Sequence, residues 1–414
     1  MTVQIDFFDR SATKTLISIK TMQPDRIVLL ASGFHKKTVA KNGREIVRPD
    51  DALADMEHAI NCLGRSEEHH LENPLKSNEL EQDNIETAFV DPDSIMEIKT
   101  ELDRILERYD ASDDIIIDLT GGAELMIAAG YAVAQEHDNV IPIYTDVQKG
   151  FIVNACDGTP ITKTKEIRLY DFMNACGGAM LSGKPDSMLN KQDLDIVIKA
   201  LPEVSKASGK AYTKFVNVVF GTGHNAGNYF WFKDQGDGRF ITDVFCKYNV
   251  IKSSGKDCYQ MLNEDFFSVF KMKGILLELY IFETARRMKD SDGTPFFDEV
   301  RWSVKISWDE SDADKIGENE VDVLLRRNNT PMVVSCKMCN LTPTMISEVG
   351  YEARIIGGNE GKAVLATTDD VRARKNGEGK SDLAEKMKHL GITLIDREDI
   401  RKGNVEMILR KAAE

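Results

Sequence analysis

Four side chains in the second half of the chain have the types and spacing of a phosphodiester-cleaving centre: Glu278, Glu320, Asp322 and Lys337. Glu278 follows Lys273-Gly274-Ile275-Leu276-Leu277 on a segment rich in apolar residues, where a carboxylate needs a partner. Asn319-Glu320-Val321-Asp322-Val323 reads as a strand whose period of two puts Glu320 and Asp322 on one face. In Pro331-Met332-Val333-Val334-Ser335-Cys336-Lys337 the same period puts Ser335 and Lys337 on one face and Cys336 on the other. Carboxylates at Glu278, Asp322 and Glu320 suit Mg²⁺ or Mn²⁺, which polarises a scissile phosphate and lowers the pKa of a bound water. The Lys337 ammonium is placed to position that water or offset developing charge. Taken singly, each of these groups is as well read as a solvated surface charge.

A second informative string lies earlier: Ile115-Ile116-Ile117-Asp118-Leu119-Thr120-Gly121-Gly122-Ala123-Glu124, an apolar strand passing through Thr-Gly-Gly into a helix. Paired glycines let backbone approach a bound group, and free amides at a helix start favour anions. The bland alternative is tight packing of helix on strand. Other strand ends that share this edge supply Arg10 and Ser11 in Asp9-Arg10-Ser11, Ser32 with His35 and Lys36, and Thr145 with Asp146. The expected ligand contacts are Arg10, Ser11, Ser32, Thr120, Gly121, Gly122 and Thr145.

The elements that carry these residues follow from periodicity. Over residues 1–165, β-branched runs at Val3 to Phe8, Ile27 to Ala31, Ile115 to Leu119 and Val140 to Thr145 alternate with amphipathic segments at Ser11 to Met22, Asp50 to Leu63, Ser94 to Tyr109 and Ala123 to His137. This is the pattern of a parallel sheet wound with helices. Gly64 to Asn84 reads as a polar loop. Residues 166–264 read as a connector, with a break at Gly177, Gly178, Gly183 and Pro185, a helix from Lys191 to Leu201, and strands at Phe215 to Phe220, Tyr229 to Phe232 and Arg239 to Phe245, the last two flanking a glycine turn. Residues 265–414 form a second α/β pattern. It has helices at Gly274 to Lys289, Thr344 to Ile356 and Asp382 to Leu390, and strands at Val300 to Ile306, Glu320 to Arg326, Met332 to Cys336, Ala363 to Thr367 and Thr393 to Ile395.

Asp118-Leu119-Thr120-Gly121-Gly122 in its strand-turn-helix setting resembles the sensor domain of CRISPR-associated Rossmann-fold (CARF) proteins, in which a symmetrical dimer binds a cyclic oligoadenylate. The family commonly has lysine two residues after the second glycine, where this chain has Glu124. Glu278, Asp322 and Lys337 resemble the helical glutamate, central aspartate and lysine of the PD-(D/E)XK nucleases, with Ser335 where that family usually has Glu, Asp or Gln. The acids considered to serve in its place are Glu320 first, then Glu348, with Glu352 also available. Together the two resemblances imply an α/β chain made of a Rossmann-like CARF domain followed by a PD-(D/E)XK restriction-endonuclease-like domain. They imply a homodimeric type III CRISPR defence nuclease, activated by cyclic oligoadenylate with cyclic tetra-adenylate favoured, cutting DNA and/or RNA nonspecifically with Mn²⁺ or Mg²⁺. The alternative is a ligand-responsive nucleic-acid-binding regulator with a decayed nuclease site, for which a winged helix with a basic recognition helix is expected.

Composition narrows the remaining possibilities. The chain of 414 residues has 42% hydrophobic and 29% charged residues, as in ordinary globular proteins. Its net charge of −15 disfavours a general nucleic-acid coat but leaves local cation clusters free to act. One such cluster is Lys247, Lys252, Lys256, Lys271 and Lys273, interleaved with Tyr248, Tyr259 and Phe270, though each lysine taken singly is better read as a solvated charge. Seven scattered cysteines suggest no disulfide framework, and Cys336-Lys337-Met338-Cys339 lacks the further soft ligands of a zinc site. The longest apolar run, Met126 to Ala134, is too short for a membrane span, and the N-terminus lacks a secretory pattern, so a cytoplasmic protein is expected. A dinucleotide-binding oxidoreductase is excluded because no Gly-x-Gly-x-x-Gly follows Phe8.

Overall fold

The computed structural model describes residues 1–8, 12–41, 44–63, 84–184, 189–207, 209–220, 225–226, 228–233, 236–263, 265–266, 274–307, 319–372 and 381–414. In the first module the strands are β1 (Thr2–Phe7), β2 (Arg26–Ser32), β3 (Lys36–Lys41), β4 (Arg44–Pro49), β5 (Ile85–Val90), β6 (Asp114–Asp118), β7 (Val140–Asp146), β8 (Phe151–Asn154) and β9 (Pro160–Lys163). The helices are α1 (Ala12–Met22), α2 (Asp51–Cys62), α3 (Ile95–Leu106) and α4 (Glu124–Glu136). Seven strands form one sheet in the order β5-β2-β1-β6-β7-β8-β9, parallel from β5 through β7, while β3 and β4 pair as a separate hairpin. The apolar runs of β2 and β6 are buried on both faces because helices cover both. Val3, Ile5 and Phe7 pack with α3 and α4, whereas Phe8, Ile27 and Leu29 pack with α1 and α2. The winding runs outward from β1 through β2 to β5, then restarts at β6 on the other side. The topological switch point therefore lies between the carboxyl ends of β1 and β6, where ligands collect in such sheets.

The second module contains α5 (Leu169–Ala175), β10 (Ala179–Lys184), α6 (Lys191–Val204), α7 (Gly209–Phe220), β11 (Asn225–Ala226), β12 (Tyr229–Trp231), α8 (Asp237–Lys247), β13 (Ile251–Gly255) and β14 (Cys258–Met261). It continues with α9 (Ile275–Arg287), β15 (Glu299–Ser307), β16 (Asn319–Arg327), β17 (Thr330–Lys337), α10 (Pro343–Gly357), β18 (Lys362–Thr367), α11 (Ser381–His389), β19 (Ile392–Ile395), α12 (Arg397–Lys402) and α13 (Val405–Ala413). Its main sheet has the order β10-β15-β16-β17-β18-β19, antiparallel from β10 to β17 and parallel from β17 to β19. One face packs on α6, α9 and α13, the other on α5, α10 and α11. A small sheet, β11-β12-β14-β13, packs with α7 and α8 onto the same apolar body as α9.

Two connector strands expected from sequence are helices. Phe215 to Phe220 ends α7 and Arg239 to Phe245 lies in α8. The cause is the spacing of the apolar residues: Phe215, Val216 and Val219 are buried together, as are Ile241, Val244 and Phe245, which matches a helix stripe despite β-favouring residue types. The glycine hairpin expected between Tyr229 to Phe232 and Arg239 to Phe245 does not form, since Gly236 instead precedes α8 as its N-cap. Most of the Gly64 to Asn84 loop, together with Arg10, Ser11, Phe270, Lys271 and Lys273, lies outside the described residues. All seven cysteines are free, and no described helix is long and apolar enough to cross a membrane.

The modules are joined by specific bonds. Asn329, buried in the β16–β17 turn, accepts from the Ile167 amide at 2.8 Å and donates to the Lys165 carbonyl at 3.0 Å. Arg326 pairs with Glu166 at 3.2 Å, and Lys14 of α1 pairs with Glu360 beyond α10 at 3.2 Å.

Candidate functional site

The hairpin β16–β17 and helix α9 bring the expected acids and lysine together. Asp322 on β16 is held at one oxygen: Oδ2 accepts from the Cys336 amide at 2.6 Å and from the Ser335 hydroxyl at 3.4 Å, and lies 3.5 Å from the Lys337 ammonium. Glu278 stands in the first turn of α9, where it accepts from the Trp302 indole at 3.2 Å. The chain enters that helix through Gly274 at φ +108°, a conformation that favours glycine, and a Cβ there would lie 3.2 Å from Glu278 Oε1 and nudge the carboxylate. Glu320 accepts from the Ser303 hydroxyl at 2.5 Å.

The regular alternation along β16 changes over at Asp322. Val321 packs under α10, while Val323, two residues on, packs under α9. The neighbouring strand does the same at Ser303, whose φ is +53°: Trp302 faces α9 and Val304 faces α10. This local twist lets one strand position address both layers, Glu278 from α9 and Lys337 with Glu352 from the α10 side. Ser335 and Lys337 share the α10 face, and Cys336 packs in the α9 core, as their spacing requires.

Electrostatics single out the same group. Burial first, and Asp322 second, push the Glu278 carboxyl up to about 8, opposed by the Trp302 bond. Burial also raises Asp322, with Lys337 and the Cys336 amide acting against it. Burial works against the charge on Lys337, but Asp322, Cys336 and Glu352 together outweigh it and hold the ammonium above its usual range. Glu352 on α10 is pushed up to about 7, by burial and then by Asp322. Glu320 acts on both Glu278 and Asp322, whereas Glu348 is exposed and acts on Glu352. Glu352 and Trp302 are the members that residue spacing undervalued. Glu352 lies one helical turn after Glu348, and only its half-buried place in the fold separates it from that exposed acid.

These residues can be tested against a hard divalent cation. Among the described residues no three His, Cys, Asp or Glu side chains converge closely enough to grip a metal as they stand. Mg²⁺ and Mn²⁺ sites, however, often use only one or two carboxylates and keep several waters. Glu278 and Asp322, two half-buried acids both pushed up by burial, with Asp322 adding to the rise at Glu278, fit that description.

At the first module's switch point, Thr120, Gly121 and Gly122 form the turn after β6. The Thr120 hydroxyl donates to Asp118 Oδ1 and accepts from the Thr145 amide at 2.8 Å, and the Thr120 amide donates to the same Asp118 oxygen at 2.9 Å. Thr145 is wholly buried beneath the turn. Gly122 has φ +95°, and a Cβ there would lie 2.5 Å from Phe7 Cβ, so the packing reading of this glycine holds alongside any role in binding. Ser32 ends β2, its hydroxyl accepting from the Phe34 amide at 3.2 Å. His35 is tied to Asp50 at 2.7 Å. In the lysine cluster, Lys247 is paired with Glu203 at 2.6 Å and Tyr259 is stacked on Phe230, which leaves Lys252 and Lys256 exposed on the β13–β14 hairpin.

No protein-family model matches the chain, and no curated protein matches it. Solved structures do. Can2 from Sulfobacillus thermosulfidooxidans, solved with cyclic tetra-adenylate, superposes with a TM-score of 0.70 at 14% identity, covering 100% of both chains. Protein VC1899 from Vibrio cholerae gives 0.73 at 12% identity, covering 100% of this chain and 98% of its own. The whole-chain fold is therefore that of these proteins, and the expected α/β class, a Rossmann-like parallel sheet followed by a second α/β module, is the one observed.

Proposed function

We propose that the chain is a nuclease of type III CRISPR defence, dormant until a cyclic oligoadenylate, with cyclic tetra-adenylate the favoured ring, binds at the switch point of the first module. The observation that carries this reading is the pairing, in one chain, of a glycine turn at a topological switch point with a half-buried Glu278–Asp322–Lys337 constellation. Support comes from the end-to-end likeness to a protein solved with cyclic tetra-adenylate.

Glu278 and Asp322 would hold Mn²⁺ or Mg²⁺, with Glu320 adding negative charge, and the cation would supply electrostatic stabilisation of the phosphate under attack. Lys337, held by Asp322, orients the attacking water and balances charge at the phosphate. Trp302 fixes the Glu278 carboxyl. Glu352 sits where an acid can serve in place of Ser335. The substrate is DNA and/or RNA. A ring ligand with rotational symmetry is matched by two identical sensor edges, so the working form is a homodimer.

A non-cutting regulator is disfavoured by α8, whose exposed positions Asp237, Arg239, Phe240, Asp243 and Lys247 mix both charges and give no basic recognition face. The deciding experiment incubates the wild type and Asp322→Asn with Mn²⁺, cyclic tetra-adenylate, and DNA or RNA. Activator-dependent cleavage by the wild type alone is expected, with activator binding equal in both.

A further inference from the structure

Beneath the Thr120 turn lies a polar seam where a Rossmann-like core is normally apolar. Gln4, Asp6 and Ser18 are wholly or almost wholly buried, as are Asp118 and Thr145. Asp6 and Asp118 are register partners on the adjacent parallel strands β1 and β6, so their side chains stand side by side on the α1 face. Each has one accounted oxygen: Asp6 Oδ1 accepts from the Gln4 amide at 3.1 Å, and Asp118 Oδ1 accepts from Thr120 twice. Each has one oxygen, Oδ2, with no hydrogen-bond donor. Two fully ionised carboxylates placed in this way would repel at close range without solvent. A single proton between the two orphan oxygens satisfies both. The bonds also say where it resides: Asp118 receives both the Thr120 amide and the Thr120 hydroxyl, which favours its ionised form, whereas Asp6 receives Gln4 alone.

We propose that Asp6 is a neutral acid that donates its proton to the Asp118 carboxylate, and that this pair is the positioning device for Thr120 and the ligand turn it leads. A chain of bonds then runs Asp6 to Asp118 to Thr120 to the β7 backbone at Thr145. Burial, and then Asp118, hold the Asp6 carboxyl well above the usual carboxylate range, in keeping with this arrangement. The groups facing the pair are Gln4 from β1, Ser18 from α1, Thr120 from the turn, and each other. The positioning role rests on the ligand reading above, while the proton assignment does not.

The test is infrared spectroscopy of the full chain with isotopically labelled aspartate at neutral pH, together with calorimetry using cyclic tetra-adenylate. A carboxylic-acid C=O band present in the wild type and lost in Asp6→Asn is expected. Asp6→Asn still offers Asp118 a donor and should bind the ring within about twofold of wild type. Asp6→Leu offers none and should bind about tenfold more weakly. Wild-type affinity should also fall as pH rises through the Asp6 titration, and that of Asp6→Asn should not. An acid band unchanged in Asp6→Asn, or no band together with divalent-cation stabilisation that Asp6→Asn abolishes, would overturn the proposal, the latter in favour of a buried metal. A wild type that shows the band but binds no ring would instead overturn the ligand reading and the positioning role with it.

Discussion

Glu278 carries a testable consequence of its burial. Its carboxyl titrates near 4.3 in an unfolded chain and about 8 in the fold. The folded protein therefore holds the extra proton, and the associated stability is full below about 4.3 and is lost as pH rises through about 8. In a chelator, the wild-type melting temperature should fall with pH across this window more steeply than that of Glu278→Gln; equal slopes would mean the carboxyl is not buried as described. Metal binding requires the ionised form, so Mn²⁺ should stabilise the wild type more strongly at alkaline pH. The place left by Ser335 gives a second comparison. Glu352→Gln should lose activated cleavage at low Mn²⁺ and regain part of it at high Mn²⁺, while Glu348→Gln, at an exposed position, should stay near wild type. The reverse order would assign the role to Glu348 instead. Asp322 and Lys337 were legible from their places on consecutive strands, and Glu278 from its order ahead of them together with the resemblance to the PD-(D/E)XK nucleases. Glu352 was harder to rank because its approach to Asp322 depends on how α10 crosses β17, which no local spacing encodes.

At the scale of elements, long segments with one clear period were read within a few residues, as α10 and β16 illustrate. The connector was not, because Phe215 to Phe220 and Arg239 to Phe245 combine β-favouring types with helical burial, and tertiary packing prevailed. The turn after β6 exposes a different limit: its glycines suit a ligand, yet Gly122 is already demanded by φ +95° and by Phe7. Gly122→Ala should thus destabilise the protein by roughly 1–3 kcal/mol in denaturant titration, with or without ligand. A neutral effect would show that the turn can relax. The β16–β17 hairpin offers the link between modules, since its turn grips residues 165–167 through Asn329 while its arms bear Asp322 and Lys337. Asn329→Ala should bind the activator normally but cleave less when activated. Normal activation in that variant would place the coupling elsewhere, with Lys14–Glu360 the next contact to test.

For the molecule as a whole, a ligand can shift an equilibrium only by binding one arrangement better than another. The Thr120 turn and the Glu278–Asp322–Lys337 group lie in different sheets, so under the proposed function activation would pass through the contacts that join them, within a chain or between two copies. Light scattering should find a dimer of this 46.4 kDa chain with and without activator; a monomer in both states would remove the symmetry argument. The order of modules could be read from sequence because each rests on one compact motif, whereas their junction, made by β10 joining the second sheet and by Asn329, involves residues with no motif at all. The most direct measurement is cleavage of DNA and RNA by the purified chain over a titration of cyclic tetra-adenylate in Mn²⁺, in parallel for wild type and Asp322→Asn. The account predicts cutting that rises with activator in the wild type and is lost in Asp322→Asn, with equal activator affinity. Cutting that persists in Asp322→Asn, or a wild type that binds the activator and cuts neither nucleic acid, would contradict it.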